Sequence, residues 1–186
     1  MKFWTVQTKS VIEVIQKQGI YQPDFNSSRY LNINKNLNDL YSVILQSFNQ
    51  INNKDLLGVI YAFAKSDSER ISFIETIEEF EVFIKNKKAV IGGFWTELDK
   101  DNSVIIELEY EENFNPIFID INDFQFLMPP LMLLPPYTEE SISRILKDIK
   151  TGQITVSEFQ SNVIQAHLPY IEKKNVVNIY PVFDLE

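Results

Sequence analysis

Apolar and polar residues alternate most regularly between residues 104 and 111. The positions that would share one face of an extended chain are all apolar: Val104, Ile106, Leu108 and Tyr110. After Ile105, the opposite face carries the carboxylates of Glu107, Glu109 and Glu111. This pattern predicts an antiparallel strand that packs on the core with one face and meets water with the other.

The remaining strands are predicted from apolar runs between turn-forming residues. A short polar sequence at residues 99–102 predicts a hairpin loop, which would make residues 89–98 the partner of the alternating strand. Further strands are expected at residues 3–7, 56–64, 71–74, 117–121 and 176–183. Pro181 places the last of these at a sheet edge, because proline has no N–H to donate to a neighbouring strand.

Apolar residues that recur at three- and four-residue steps predict the helices. We expect them at residues 10–18, 37–51, 76–88, 138–151 and 155–168, with Pro169 ending the last. Thr8 or Ser10 would cap the first helix, and Gly19 would end it. Thr76 and Glu79 match a capping box at the start of the third, for which one longer helix from Glu69 is the alternative.

These elements predict a single α+β domain spanning residues 1–186. We expect a mainly antiparallel sheet of five or six strands, with four or five amphipathic helices packed chiefly on one face. Hydrophobic residues make up 45% of the chain and aromatic residues 13%, which is enough for a large core and argues against disorder.

The most apolar stretch of the chain is the segment from Leu127 to Pro136, which contains two Pro-Pro pairs. The prolines hold it extended, and it is too short to span a membrane, which takes about 20 apolar residues. Its side chains would form either a docking surface for a protein partner or a connector buried against the core, and large apolar patches are rare on soluble proteins. The residues concerned are Leu127, Met128, Leu131, Met132, Leu133 and Leu134.

Composition excludes several classes of function. The net charge of −9 disfavours nucleic acid and anionic membranes as partners. Without cysteine there are no disulfides, thiolate metal sites or cysteine nucleophiles. The single histidine, His167, rules out a multi-histidine metal centre, and the acids lack the spacing of a calcium loop, so we predict no metal site. No phosphate-binding glycine motif and no signal peptide are apparent, which makes the cytoplasm the expected location.

The strongest candidate for chemistry is the pair Glu107 and Glu109 on the alternating strand. Two carboxylates at this spacing share a face, would raise one another's pKa and would be able to orient a ribose hydroxyl. ADP-ribosyl-transferring enzymes use such a pair on a strand, with NAD as the cofactor. A solvated strand face explains the same pattern without chemistry, and the first strand has no arginine to strengthen the enzyme interpretation.

The chain resembles a bacterial family known as domain of unknown function 3841. The likeness lies in Phe3-Trp4-Thr5-Val6-Gln7, a helix ending at Gly19-Ile20-Tyr21, the strand Ile106-Glu107-Leu108-Glu109-Tyr110, the stretch from Asp120 to Leu127, and Ile164-Gln165-Ala166. The resemblance implies a small stand-alone cytosolic protein and brings no activity, cofactor or catalytic residue with it.

Two classes of function follow from the sequence. The favoured one is a non-catalytic protein with no cofactor, which binds a protein partner through its acidic and apolar surfaces. The abundance of Ile, Asn and Lys is typical of an AT-rich bacterial, phage or mobile-element gene. The alternative is an NAD-using enzyme of ADP-ribosyltransferase-like architecture, which requires a cleft that contains Glu109 beside aromatic side chains. The oligomeric state stays open.

Overall fold

A computed structural model describes residues 1–27, 35–67, 70–111, 114–121 and 161–185. It confirms the predicted α+β class. The strands are β1 (Lys2–Thr8), β2 (Ile20–Tyr21), β3 (Ile60–Asp67), β4 (Arg70–Ser72), β5 (Ser103–Glu109), β6 (Ile117–Asp120), β7 (Val163–Leu168), β8 (Ile171–Glu172) and β9 (Val176–Pro181).

The main sheet has the strand order β6-β7-β3-β1-β5-β9, with β4 added beside one end of β3. Strands β2 and β8 form a separate two-stranded sheet. Every pairing between the described strands is antiparallel. Strand β9 lies at one edge, as Pro181 predicts.

The described residues form four α-helices: α1 (Lys9–Gln18), α2 (Lys35–Asn52), α3 (Ile77–Asn86) and α4 (Lys88–Glu97). Helix α1 ends at Gly19, whose φ of 81° needs the left-handed freedom of glycine. Helix α3 starts after Thr76, whose side chain accepts a hydrogen bond from the Glu79 N–H. Because β4 occupies residues 70–72, the longer helix from Glu69 is excluded. Among the described helices, none has the length and apolar character needed to cross a bilayer.

Apolar side chains cover both faces of the sheet, so the expectation that the helices pack chiefly on one face is wrong. On one face, Phe3, Ile106 and Leu108 pack with residues of α1 and α2. On the other, Trp4 and Ile105 pack with residues of α3 and α4. The central strands therefore bury side chains in both directions within one domain.

The predicted hairpin before β5 is absent, because residues 88–97 form helix α4 instead of a strand. Ile91 and Trp95, four residues apart, are its buried side chains, and this is helical spacing. Two features made the segment resemble a strand: its apolar run, and Gly92-Gly93, which a helix disfavours. The true neighbours of β5 are β1 and β9, both distant in sequence.

The predicted helix at residues 155–168 is wrong over its last part, because residues 163–168 form the fully buried strand β7. His167 consequently lies on a strand between β3 and β6 and not at a helix end. Strand β7 contains Gln165 and His167, so it lacks the continuous apolar run that marks a strand buried on both faces, and its pattern also fits a short helix. The proline-rich segment 127–136 and the predicted helix at 138–151 lie outside the described residues.

The predicted strand at residues 56–64 begins only at Ile60, because Gly58 crosses close to another part of the backbone. A Cβ atom at Gly58 would lie 2.7 Å from the carbonyl oxygen of Pro23. The neighbouring N–H of Phe25 donates to the Leu57 carbonyl over 2.9 Å, which holds the two segments together.

We expect Gly58→Ala to lower the free energy of unfolding by roughly 1–3 kcal/mol, since backbone has to move to admit the methyl group. Gly93→Ala is the matched control. Its Cβ would meet nothing within 4 Å, and alanine favours the helix, so stability should rise by up to about 1 kcal/mol. Urea unfolding of both variants checks this. A neutral Gly58→Ala would refute the close approach.

Candidate functional site

A cavity of about 520 Å³ opens where β5 leaves the main sheet. Its walls come from the end of β5 and the residues that follow, from the turn before β8, and from the segment that joins β8 to β9. The residues that decide its chemistry are Glu109, Tyr110, Glu111, Phe114, Tyr170 and Glu172. The site is therefore assembled from the first residue, Met1, and from two further stretches that are about sixty residues apart in the chain.

Aromatic rings form the inner wall of this cavity. The rings of Tyr110 and Phe114 meet edge to face with their centroids 5.1 Å apart. The Tyr110 hydroxyl donates to the Tyr170 carbonyl, which ties β5 to the turn before β8. Burial raises the pKa of Tyr110 well above its ordinary value, so this hydroxyl keeps its proton and its hydrogen bond at physiological pH.

The rim is a single turn of 3-10 helix, Lys173–Asn175, between β8 and β9. Asn175 is buried and holds this turn in two directions. Its side-chain oxygen accepts from the Glu172 N–H over 3.0 Å, and its side-chain nitrogen donates to the Glu109 carbonyl over 3.1 Å. The Glu172 carboxylate completes the capping box on the Asn175 N–H. The spacing of the Glu109 and Glu172 backbones is thus set by one amide side chain.

The cavity lining is acidic. The lining has three carboxylates, those of Glu109, Glu111 and Glu172, and two ammonium groups, those of Met1 and Lys174. The Nζ of Lys174 lies 2.7 Å from a Glu172 carboxylate oxygen. This pairing raises the pKa of Lys174, so its ammonium stays charged. Among the described residues, no three acidic or imidazole groups are close enough together to hold a metal ion.

An ammonium group already rests on one of the cavity rings. The Nζ of Lys54 lies 5.5 Å from the centroid of the Tyr170 ring. At this distance the electron-rich face of a phenol attracts a cation. The site therefore combines the two features that bind alkylammonium and guanidinium groups, which are aromatic faces and carboxylates.

Glu107 lies outside the cavity and is not solvated, contrary to the expected half-buried strand. Only 5% of the residue is exposed. Its carboxylate accepts hydrogen bonds from Asn178 at 2.9 Å and Tyr180 at 3.1 Å, both on β9, and pairs with the Lys2 ammonium of β1 at 3.0 Å. The side chain thus fastens three neighbouring strands to one another.

The expected mutual raising of pKa by the two glutamates is not seen at Glu107. Burial by itself would raise the pKa of this carboxyl. The hydrogen bonds from Asn178, Lys2 and Tyr180 outweigh burial and hold the pKa below its ordinary value. Glu107 is therefore an ionised structural group with its acceptors already engaged.

The structure consequently separates the two sequence candidates. Glu109 lies at a cavity beside aromatic rings, as the enzyme interpretation requires, whereas Glu107 does not line it. The apolar candidates at 127, 128 and 131–134 lie outside the described residues. Sequence reasoning missed Tyr170, Glu172 and Asn175. Their only local signal is the turn composition after Pro169, and the sequence shows no sign that this turn meets the end of β5.

A second polar cluster lies on strand β7. Gln165 is 0% exposed, and within the described part of the chain neither its amide nitrogen nor its amide oxygen has a hydrogen-bond partner. Nε2 of His167, on the same face of the strand, is also buried without one, and burial lowers the pKa of His167 to about 4. The imidazole is therefore neutral near pH 7. Each unsatisfied polar atom costs about 1–3 kcal/mol.

We expect Glu107→Gln to lower the free energy of unfolding at pH 7 by roughly 1–3 kcal/mol, because charge-assisted hydrogen bonds are lost. The folded-state pKa lies below the ordinary value of 4.5, so this stabilisation is present above pH 4.5 and disappears as the pH falls through the folded-state pKa. Wild type and variant should converge in acid. Urea unfolding as a function of pH measures this. Exposed Glu109→Gln is the control, with a change under about 0.5 kcal/mol.

We expect Gln165→Met to stabilise the protein by about 1 kcal/mol or more, since an isosteric apolar side chain removes the unpaired amide. The same change at Gln50, an exposed residue of α2, should have almost no effect. Thermal unfolding of both variants measures the difference. A fall in stability for Gln165→Met would mean that the amide gains a partner in solution.

Comparisons of the chain with protein-family models, with curated proteins and with solved structures find no match. The resemblance to domain of unknown function 3841 therefore stays a prediction. The geometry of the acidic cavity and the charge of the protein are the features that bear on its function.

Proposed function

We propose that this protein is a non-catalytic binding protein whose acidic, aromatic cavity takes a basic side chain of a protein partner. The observation that supports the proposal best is the lining itself. The lining contains the carboxylates of Glu109, Glu111 and Glu172 together with the aromatic residues Tyr110 and Tyr170. Aromatic cages with carboxylates are a known solution for holding ammonium and guanidinium groups.

Electrostatics favours a cation over an anion at this site. The described lining has three carboxylates against two ammonium groups, that of Met1, which donates to the Tyr110 carbonyl, and that of Lys174, which is paired with Glu172. The chain as a whole carries a net charge of −9, which draws basic partners and repels phosphates. A protein that presents lysine or arginine therefore fits better than nucleic acid or an anionic membrane. A cytoplasmic location is part of this proposal.

The NAD-using enzyme remains the second candidate, because Glu109 does lie at a cavity beside aromatic rings. Two observations weigh against it. Glu107, its expected partner, is outside the cavity with its carboxylate already hydrogen-bonded. The pyrophosphate of NAD would also have to approach an acidic lining.

The test is an NMR titration of the protein with N-acetyl-lysine methylamide, and with the uncharged norleucine analogue as ligand control. We expect the lysine compound to shift signals around Tyr110 and Tyr170 with millimolar affinity that weakens as salt is raised. Glu109→Gln should weaken binding severalfold. Glu97→Gln, the same change at an exposed position of α4, should not.

Equal shifts of the NMR signals with the lysine and norleucine compounds would contradict the proposal.

Thermal unfolding in the presence of NAD tests the alternative, the NAD-using enzyme. A ligand at about 100 times its dissociation constant adds roughly 2.7 kcal/mol of stability. Stabilisation by NAD that Glu109→Gln abolishes, together with no lysine binding, would favour the enzyme.

A further inference from the structure

Strand β9 has an outer edge with no partner among the described strands. It pairs with β5 on its inner side, and it is the last strand in the order of the sheet. Two of its apolar side chains are exposed, Val177 by 43% and Ile179 by 44%, with Val177 at the position where the register between β9 and β5 shifts. The face opposite Ile179 is engaged with the protein, since Asn178 and Tyr180 reach the Glu107 carboxylate.

An unpaired edge with apolar side chains is a template for one more strand. Backbone N–H and C=O groups at such an edge pair with an extended segment of another chain, and alternate side chains of that segment pack on the exposed apolar ones. Pro181 offers no N–H, so the usable length runs from Val176 to Tyr180. Five residues at about 3.3 Å each give a ladder of roughly 17 Å.

This edge is continuous with the acidic cavity. Val177 contributes to the cavity lining, and the rim turn Lys173–Asn175 leads directly into β9. The cavity therefore lies at the N-terminal end of β9. A segment that added antiparallel to β9 would bring its own C-terminal end to the cavity.

We propose that β9 binds an extended segment of a partner protein as an additional antiparallel strand, whose C-terminal lysine or arginine enters the acidic cavity. The inference rests on the proposed function and adds the backbone direction and the sequence pattern of the partner. All pairings in this sheet are antiparallel, and antiparallel pairs are slightly the more stable. The partner pattern is alternating apolar residues followed by a basic one.

Charge complementarity distinguishes this occupant from a second copy of the chain. In each copy the residues after Pro181 are held on their own core, where Phe183 stacks on Trp95 and Asp184 pairs with Lys100. These residues include no lysine or arginine, so a second copy paired at β9 would bring no basic group to the cavity. Two molecules of charge −9 would also be brought together. The edge thus selects against self-association.

The test uses capped synthetic peptides of alternating threonine and valine that end in two lysines, and peptides of the same composition with the lysines first. We expect the first order to bind at least about tenfold more tightly than the second and than N-acetyl-lysine methylamide. Two further versions carry backbone N-methyl groups on alternate residues, in the two possible phases. The phase that removes N–H groups facing β9 should lose binding about tenfold or more, and the other phase should not.

Protein variants supply the second arm. Ile179→Asn should weaken binding of the peptide and leave binding of N-acetyl-lysine methylamide unchanged, because Ile179 does not line the cavity. Val82→Asn on α3 is the matched control, since Val82 is 58% exposed and belongs to neither β9 nor the cavity lining. The Val82→Asn change should alter neither the binding of the peptide nor the binding of N-acetyl-lysine methylamide.

The outcomes separate the two proposals. Equal binding of both peptide orders, or of both N-methylated phases, overturns strand addition. If N-acetyl-lysine methylamide binds in a Glu109-dependent manner and the peptides bind no better, the cavity proposal stands and the edge proposal fails. If neither the compound nor any peptide binds, both proposals fail.

Discussion

The pairing of β1 with β5 is the constraint on which the rest of the structure depends. Seven consecutive residues are in register, from Lys2 opposite Glu109 to Thr8 opposite Ser103. This pair lies in the interior of the sheet and contributes side chains to the cores on both faces. Because side chains alternate along a strand, a slip of one residue would exchange the two cores, which makes the register strongly specified.

The buried carboxylate of Glu107 reinforces the pairing of β1 with β5 near the end where Lys2 lies opposite Glu109. Glu107 binds Lys2 on one neighbour and Asn178 and Tyr180 on the other. The surrounding core is apolar, so an ionised group is tolerated there only because each donor is directed at it. The register between β5 and β9 shifts beside this residue, where β9 carries one extra position. The cavity begins just beyond this irregularity.

The candidate site is a consequence of where the strands end. Past Glu109 the chain leaves the sheet, and the turn before β8 and the rim turn fill the space beside it. Asn175 and the Tyr110 hydroxyl bridge the gap between these segments. Tyr110 and Phe114 belong to the buried core and also line the cavity, whose carboxylates lie on the solvent side of these rings.

Local patterns predicted those elements whose partners are close in sequence or whose periodicity is unambiguous. Strand β1, helix α1 with Gly19, helix α3 with its Thr76 cap, and the edge position of β9 all follow from such signals. The failures were at α4 and β7. The α4 segment is a short apolar run, and β7 carries Gln165 and His167 between apolar residues. Each fits a helix or a buried strand, and tertiary contacts decided between them.

The sequence by itself determined the α+β class, the acidic surface, the absence of cysteine chemistry and the presence of a glutamate pair on one strand face. Only the tertiary structure decided that Glu107 is a buried tie between strands and that Glu109 borders a cavity. The physical reason is that residues 170–175, which build the opposite wall and rim, come from a distant part of the chain. Local periodicity specifies which side chains share a face, and non-local strand pairing specifies what that face meets.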